Sequence, residues 1–260
     1  ILELINIAKT FPGANVLRGI DIRLKRGEVH ALLGENGAGK STLIKIISGY
    51  HQPDKGGEMR IEGRPVHFRN PKDALDASIH TIYQELTLCP LMTVAENIVI
   101  NKQRTFRGAL QKPKEYREMA LKALERLGQE DIHPNQLVKS LSIAQQQVVE
   151  IAKAITSNAK IILMDEPTSS ISQQDSEKLM GIIRTLRNEG VTIIYISHRL
   201  HEIGQIADRV TVLRDGNLVG TVNSADVTEQ DLINMMVGRE ITNVYPKRTV
   251  RIGETVLRVE

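Results

Sequence analysis

One cysteine, no tryptophan, three phenylalanines and five tyrosines mean that neither disulfides nor large aromatic clusters organise this chain. Cys89 has no second cysteine to pair with in this sequence, which fits a reducing compartment. With aromatics at 3%, the core has to be built from Ile, Leu, Val and Ala. Long apolar runs are missing too. None approaches the roughly 18–20 residues that cross a bilayer, and no amino-terminal segment has the pattern of a secretory signal. The charge balance, 34 basic against 31 acidic residues, leaves only +3, with no Lys/Arg stripe of the kind a nucleic-acid surface requires. What remains is ordinary for a globular protein. Apolar residues make up 41% and charged residues 25% of 260 positions, enough for one large domain or a domain carrying an inserted lobe. The chain opens on Ile1 and stops inside an alternating apolar pattern, Thr255–Glu260, so both ends read as cut from a longer polypeptide.

Periodicity divides the chain. Glu3–Ile7, Ile20–Leu24, Val29–Leu33, Glu58–Glu62 and Ile79–Gln84 read as strands, with a helix over Lys40–Ser48 stopped by Gly49. From about Leu86 to Asn158 the period becomes helical. Tyr116, Met119, Ala120, Ala123, Leu124 and Leu127 share one face, and Val148, Ile151, Ala152 and Ile155 share another. Lys160–Met164 and Val191–Ile196 are continuous apolar runs, expected to be strands buried on both faces. The helix between them, around Leu179–Leu186, makes a β-α-β unit and hence a parallel sheet. Asp215-Gly216 marks a hairpin between Arg209–Arg214 and Asn217–Val222.

Gly34-Glu35-Asn36-Gly37-Ala38-Gly39-Lys40-Ser41-Thr42 matches the phosphate-binding loop pattern in full, between a predicted strand and a predicted helix. Its glycines let backbone amides curl round a phosphate, and the helix adds its positive end. Lys40 brings a charge to the β- and γ-phosphates of a nucleotide, and Ser41 a hydroxyl to Mg²⁺. A Gly-rich helix cap is the plain alternative, but chance yields this pattern in roughly one chain of this length in a hundred. Asp165 and Glu166 end a buried strand. Beside such a loop, Asp165 is a Mg²⁺ holder and Glu166 a general base for an attacking water. Taken alone, Ser142-Ile143-Ala144-Gln145 reads as a capping box, and capping and phosphate binding both use free amides at a helix start. Gln84 at a strand end, His198 after an apolar strand and Phe11 in a turn each have an ordinary structural reading.

In this order, P-loop, Gln84, Leu141–Gln145, Asp165-Glu166 and His198, the motifs resemble the nucleotide-binding domain of ABC transporters over residues 1–240. The resemblance implies an α/β P-loop NTPase fold. A RecA-like core with an antiparallel β edge would come from about 1–85 and 159–240, with an α-helical lobe inserted at about 86–158. It implies that Phe11 stacks on adenine and that Gln84 contacts Mg²⁺ and water. It also implies that His198 meets the γ-phosphate, and that Ser142, Ile143, Ala144 and Gln145 close over ATP held by a partner cassette. Phe11-Pro-Gly13, Glu28–Asn36, Tyr83-Gln-Glu85, Val149–Lys153, Ile196–Arg199 and Met236–Glu240 narrow it to something similar to the bacterial monosaccharide-import ATPases. There two cassettes are fused. This chain would be the first, with a linker at 241–254 and the opening strand of the second at 255–260. The implied partners are that second cassette, integral membrane permease subunits and, indirectly, a sugar-binding protein, at the cytoplasmic face of the inner membrane. There are two departures from the general pattern. Ile143 and Ala144 stand where glycines are usual, and Ser172 stands where an Asp is usual. Both bear on the efficiency of the composite ATP site. A soluble tandem ATPase acting on ribosomes or nucleic acid is the rival reading, set against by the short linker. A P-loop small-molecule kinase is opposed by Ser142–Gln145, Glu166 and His198.

Overall fold

The computed structural model describes residues 1–102, 105–106, 109–110 and 113–238. The expected linker and the opening strand at 255–260 lie outside the described residues.

Two sheets organise the chain. The first is antiparallel, in the order β2-β1-β4-β5, and uses β1 (Leu2–Phe11), β2 (Ala14–Leu24), β4 (Glu58–Ile61) and β5 (Arg64–Val66). The second has six strands in the order β12-β11-β3-β10-β9-β6. They are β3 (Val29–Leu33), β6 (Ile79–Ile82), β9 (Ile161–Asp165), β10 (Thr192–Ile196), β11 (Arg209–Arg214) and β12 (Asn217–Asn223). All are parallel except β12, which turns back on β11 as an antiparallel edge. A two-residue pair, β7 (Thr105–Phe106) with β8 (Ala109–Leu110), stands apart.

Alternation along the parallel strands supplies both faces. Leu32, Leu163 and Ile194 join the core shared with the antiparallel sheet and with α1 (Lys40–Ile47). Ala31, Ile162, Met164, Ile193 and Tyr195 face the opposite core, against α5 (Ile143–Thr156) and α6 (Gln173–Asn188). Because both faces are covered, β3, β9 and β10 are buried along nearly their whole length rather than at alternate residues. Further helices are α2 (Pro71–Asp76), α3 (Val94–Val99), α4 (Pro113–Arg126), α7 (Leu200–Ile206) and α8 (Glu229–Val237). The helices α3, α4 and α5 pack on one another between β6 and β9. Among the described residues no helix is long and apolar enough to cross a membrane.

Two expectations about bounds change. The first hairpin is longer than its apolar pattern, because ladder pairing continues through the polar residues to Phe11 opposite Ala14. The strand expected over Ile79–Gln84 stops at Ile82, its last pairing with β9, so Tyr83 and Gln84 leave the sheet. The hairpin at Asp215-Gly216 forms as read, with both turn residues at positive φ (50° and 77°). Its turn lies on β2: Arg18 donates its amide to Gly216 O at 2.8 Å, and a Cβ on Gly216 would come within 2.5 Å of Val16 O.

Candidate active site

The carboxyl ends of parallel strands share one edge of a sheet, and this is where α/β folds bind ligands. Four segments leave that edge together. Gly34 follows β3, Gln84 lies two residues beyond β6, Asp165 ends β9, and His198 lies two residues beyond β10. Ile196 pairs with Asp165, and Ile82 with Met164, so the register brings their exits level.

The loop after β3 is set by close backbone approaches. A Cβ on Gly34 would fall 2.4 Å from Leu213 O, and one on Gly39 (φ 102°) 2.6 Å from Leu17 Cδ2. Gly37, also at positive φ, faces open space. Gly39 starts α1 without a capping side chain, and no acidic residue occupies its first turn. By contrast α3, α5 and α8 each close with a capping box. The first amides of α1 are therefore left for a ligand, together with the positive end of the helix. They open on a cavity of about 370 Å³ whose lining includes Val16, residues 36–42, Gln84, Asp165 and Glu166.

Lys40 Nζ bends back over the loop, donating to Gly34 O (2.6 Å) and Glu35 O (3.0 Å). Burial pulls the ammonium below its ordinary value, while Glu166 and Asp165 draw it back up. Burial likewise pushes Asp165 up, the neighbouring Glu166 adds to this, and Lys40 and Lys45 oppose it. A half-buried Asp165 carboxyl that resists ionisation marks a site short of positive charge. Ser41, Gln84 and Asp165 are oxygen donors of the type Mg²⁺ prefers, so the residues present fit such an ion.

Glu166 carries a feature that its sequence context does not announce. Its φ is 48°, in the left-handed region that non-glycine residues seldom occupy. The conformation costs of order 1–3 kcal/mol and is held by Glu166 N donating to Ile196 O (3.0 Å) and Ser169 N donating to Glu166 O (3.1 Å). It turns the side chain toward His198, whose Nδ1 is 3.3 Å from Glu166 Oε1. His198 is largely exposed (64%), free to meet a ligand arriving at the mouth.

Phe11, Gly34, Glu35 and His198 do not line the cavity. Phe11 ends β1, edge-on to His51 with ring centroids 5.2 Å apart and with Lys9 Nζ 5.5 Å from its ring. Val16, which no motif marked, lines the cavity instead. Ser142 to Gln145 are elsewhere, at the start of α5. Gln145 N donates to Ser142 Oγ (3.2 Å), Ser142 N donates to Gln145 Oε1 (3.0 Å), and Ile143 is half exposed. Ser172 caps α6, its hydroxyl accepting from Asp175 N. An Asp there would serve the same cap, so the departure leaves the helix start intact.

A parallel sheet with a phosphate loop after one strand and an acidic pair after another, flanked by an antiparallel sheet and three helices, defines a nucleotide-binding P-loop protein. The chain belongs to the ABC transporter family, whose profile matches residues 17–169. It is 48% identical over its whole length to a ribose/galactose/methyl galactoside import ATP-binding protein of Burkholderia cenocepacia strain HI2424, covering 49% of that protein. It is equally similar to one of Geobacillus kaustophilus strain HTA426, of which it covers 52%. The chain thus spans about half the length of the curated relatives it matches. Among solved structures, it resembles an ATP-binding cassette of an ABC transporter in its ADP conformation (TM-score 0.78, 26% identity, 92% of this chain and 99% of that one). It also resembles a dimeric ATP-binding cassette bound to ADP and Pi in a post-hydrolysis state (TM-score 0.72, 28% identity, 86% and 99%).

Proposed function

We propose that this chain binds and hydrolyses Mg·ATP as one cassette of a two-cassette ATPase that drives sugar import through membrane permease subunits. The observation that carries the hydrolysis reading is the strained Glu166, 3.3 Å from His198 at the edge of the phosphate-loop cavity. In this reading residues 34–42 cradle the phosphates with backbone amides, and Lys40 exchanges its two loop carbonyls for phosphate oxygens. Ser41, Asp165 and Gln84 would hold Mg²⁺, which when bound supplies positive charge between the phosphates. Glu166 accepts the proton of the attacking water, and His198 orients the γ-phosphate from the exposed side. Phe11 and Val16 border the base. Ser142–Gln145, remote from this chain's own loop, meet ATP on the partner cassette.

The division into a core (about 1–85 and 159–240) and a lobe (about 86–158), followed by a linker and a second cassette, belongs to the same proposal. The second cassette is supported by the half-length match to the relatives, and the lobe by the mutual packing of α3, α4 and α5. A cleft of about 230 Å³ beside β6 and α5, bordered by Tyr50 and Leu75, offers apolar surface to a permease. Attachment would be at the cytoplasmic face of the inner membrane. Sugar as cargo rests on the relatives' names, with a sugar-binding protein as an indirect partner.

Glu166→Gln tests the mechanism. It is expected to retain Mg·ATP binding and lower turnover at this site by roughly 10²- to 10⁴-fold, trapping ATP in the full-length protein. Wild-type single-turnover rates would remove Glu166 as the base.

A further inference from the structure

Beneath the exposed His198 lies a buried acid that the proposed mechanism does not use. Glu202, on α7, is 1% exposed. Three hydroxyls converge on its Oε2: Tyr195 OH at 2.8 Å, Ser197 Oγ at 2.9 Å and Thr168 Oγ1 at 2.9 Å. Its Oε1 accepts from Ser176 Oγ at 3.3 Å and from Arg199 NH1 at 3.4 Å. Burial alone raises a carboxyl, yet these hydroxyls and the Arg199 charge outweigh it and hold Glu202 below the ordinary carboxylate value.

The donors are not scattered. Thr168 lies two residues after Glu166, and Ser197 and Arg199 flank His198 on either side. Ser197 Oγ in turn accepts from Arg199 N at 3.0 Å, closing a tight turn around the histidine. Between Glu166 and Thr168, Pro167 O accepts from Gln147 Nε2 of α5 at 3.1 Å. A single carboxylate therefore ties together the exits of β9 and β10, the two backbones whose side chains meet at 3.3 Å. His198 is 64% exposed, so packing holds little of its side chain. Its placement has to come from the backbone below. An apolar residue would fill the α7 face with no desolvation cost, whereas a buried charge is retained where several donors need one common acceptor.

We infer that Glu202 is a positioning residue for hydrolysis, fixing the Ser197–Arg199 turn against the Glu166–Thr168 turn so that His198 and Glu166 are aligned before ATP arrives. This rests on the hydrolysis reading above. Glu202→Gln keeps the shape and one acceptor but removes the charge that holds Arg199. Introduced into the full-length protein, it is expected to lower kcat roughly 10- to 100-fold, measured above the Glu166→Gln background, with the KM for ATP within about twofold. Because it acts through His198, it is expected to add nothing further in a His198→Ala background. Wild-type kcat, a raised KM with kcat kept, or losses that multiply in the double variant would each overturn the assignment. Should Glu202→Gln fail to fold, Ser197→Ala removes one of the three hydroxyls. It is expected to show a smaller loss that likewise vanishes with His198→Ala, and wild-type turnover there overturns the proposal. If His198→Ala and Glu166→Gln themselves turn over normally, the hydrolysis reading falls, and this proposal with it. Loss in those two without loss in Glu202→Gln overturns the positioning role alone.

Discussion

Two helix starts in this chain are candidates for meeting a phosphate, and they are built in opposite ways. The first turn of α1 is entered through a left-handed Gly39, has no capping side chain, and opens into a cavity beside half-buried charges. The first turn of α5 is closed on itself by Ser142 and Gln145 and projects a half-exposed Ile143. An uncapped, partly buried helix start is costly unless a ligand satisfies it, so α1 is organised around an anion within the chain itself. A self-capped, exposed start is complete alone. Any phosphate that α5 meets has to come from outside, on a second body. In the proposed reading the same local chemistry, amides at a helix end, serves a resident site in one place and a docking surface in the other.

The comparison breaks most sharply at Lys40. Lys40→Ala removes the side-chain ammonium that donates to the loop's carbonyls at Gly34 and Glu35. A charged hydrogen bond of about 1.5–3 kcal/mol corresponds to nucleotide affinity weakened roughly 10- to 150-fold, with the fold retained. Unchanged affinity in a calorimetric titration would mean that α1 is not organised around phosphate.

Asp165 sharpens the contrast from the side of charge. Its folded carboxyl holds the proton to higher pH than the unfolded one, whose ordinary value is 3.8. In the window above 3.8 the folded state binds more protons, so stability falls as pH rises through it, and the cost persists at neutral pH. Asp165→Asn is therefore expected to raise the thermal midpoint of the nucleotide-free chain at pH 7 and to flatten its dependence on pH above 3.8. Mg²⁺-dependent nucleotide binding should be lost. A lowered midpoint would show that the site is not short of positive charge. At the start of α5, Ser142→Ala is expected to cost about 1 kcal/mol through the lost cap alone. ATP affinity of this chain should then be unaltered, and a parallel loss of affinity would join the two helix starts into one site.

How much of this was legible beforehand follows from the length of each signal. The loop at 34–42 is nine residues of fixed type, and the apolar runs at 161–164 and 191–196 have only one reading once their length is considered. The helices α2, α3, α7 and α8 went unread because six to nine residues give little more than two turns of periodicity. Three of the four nonetheless carry caps, Asn70 before Pro71, Thr93 with Glu96, and Thr228 with Asp231, whereas α7 starts at Arg199 without a capping side chain. The positive φ of Glu166 had no sign in its own residue type, since it is held by the Glu166 amide donating to Ile196 O and by the Ser169 amide donating to Glu166 O. Val16 entered the cavity only through the long β1–β2 hairpin, and Glu202 became visible only when the register of β9 and β10 placed its donors together.

The smallest effect is expected where the signature of α5 departs from glycine. Ile143 and Ala144 are its first two helical residues, and the structure separates their roles. Ala144 lines a cleft of about 330 Å³ against α6, together with Gln147 and Lys178. Ile143 is 51% exposed and stands on the open side of the helix start, where an incoming phosphate has to approach. The bulk that limits approach is therefore the β-branched Ile143 more than the methyl of Ala144. Replacing either by glycine gives up about 0.5–1 kcal/mol of helix stability in the free chain. Ile143→Gly also removes a side chain between the free amides and a partner's ATP, while Ala144→Gly only loosens the contact with α6. Sedimentation of the chain carrying Glu166→Gln with Mg·ATP is expected to show stronger pairing for Ile143→Gly and little change for Ala144→Gly. The reverse order would place the phosphate on the α6 side of the helix start, and equal pairing in all three would mean that α5 is no docking surface for ATP.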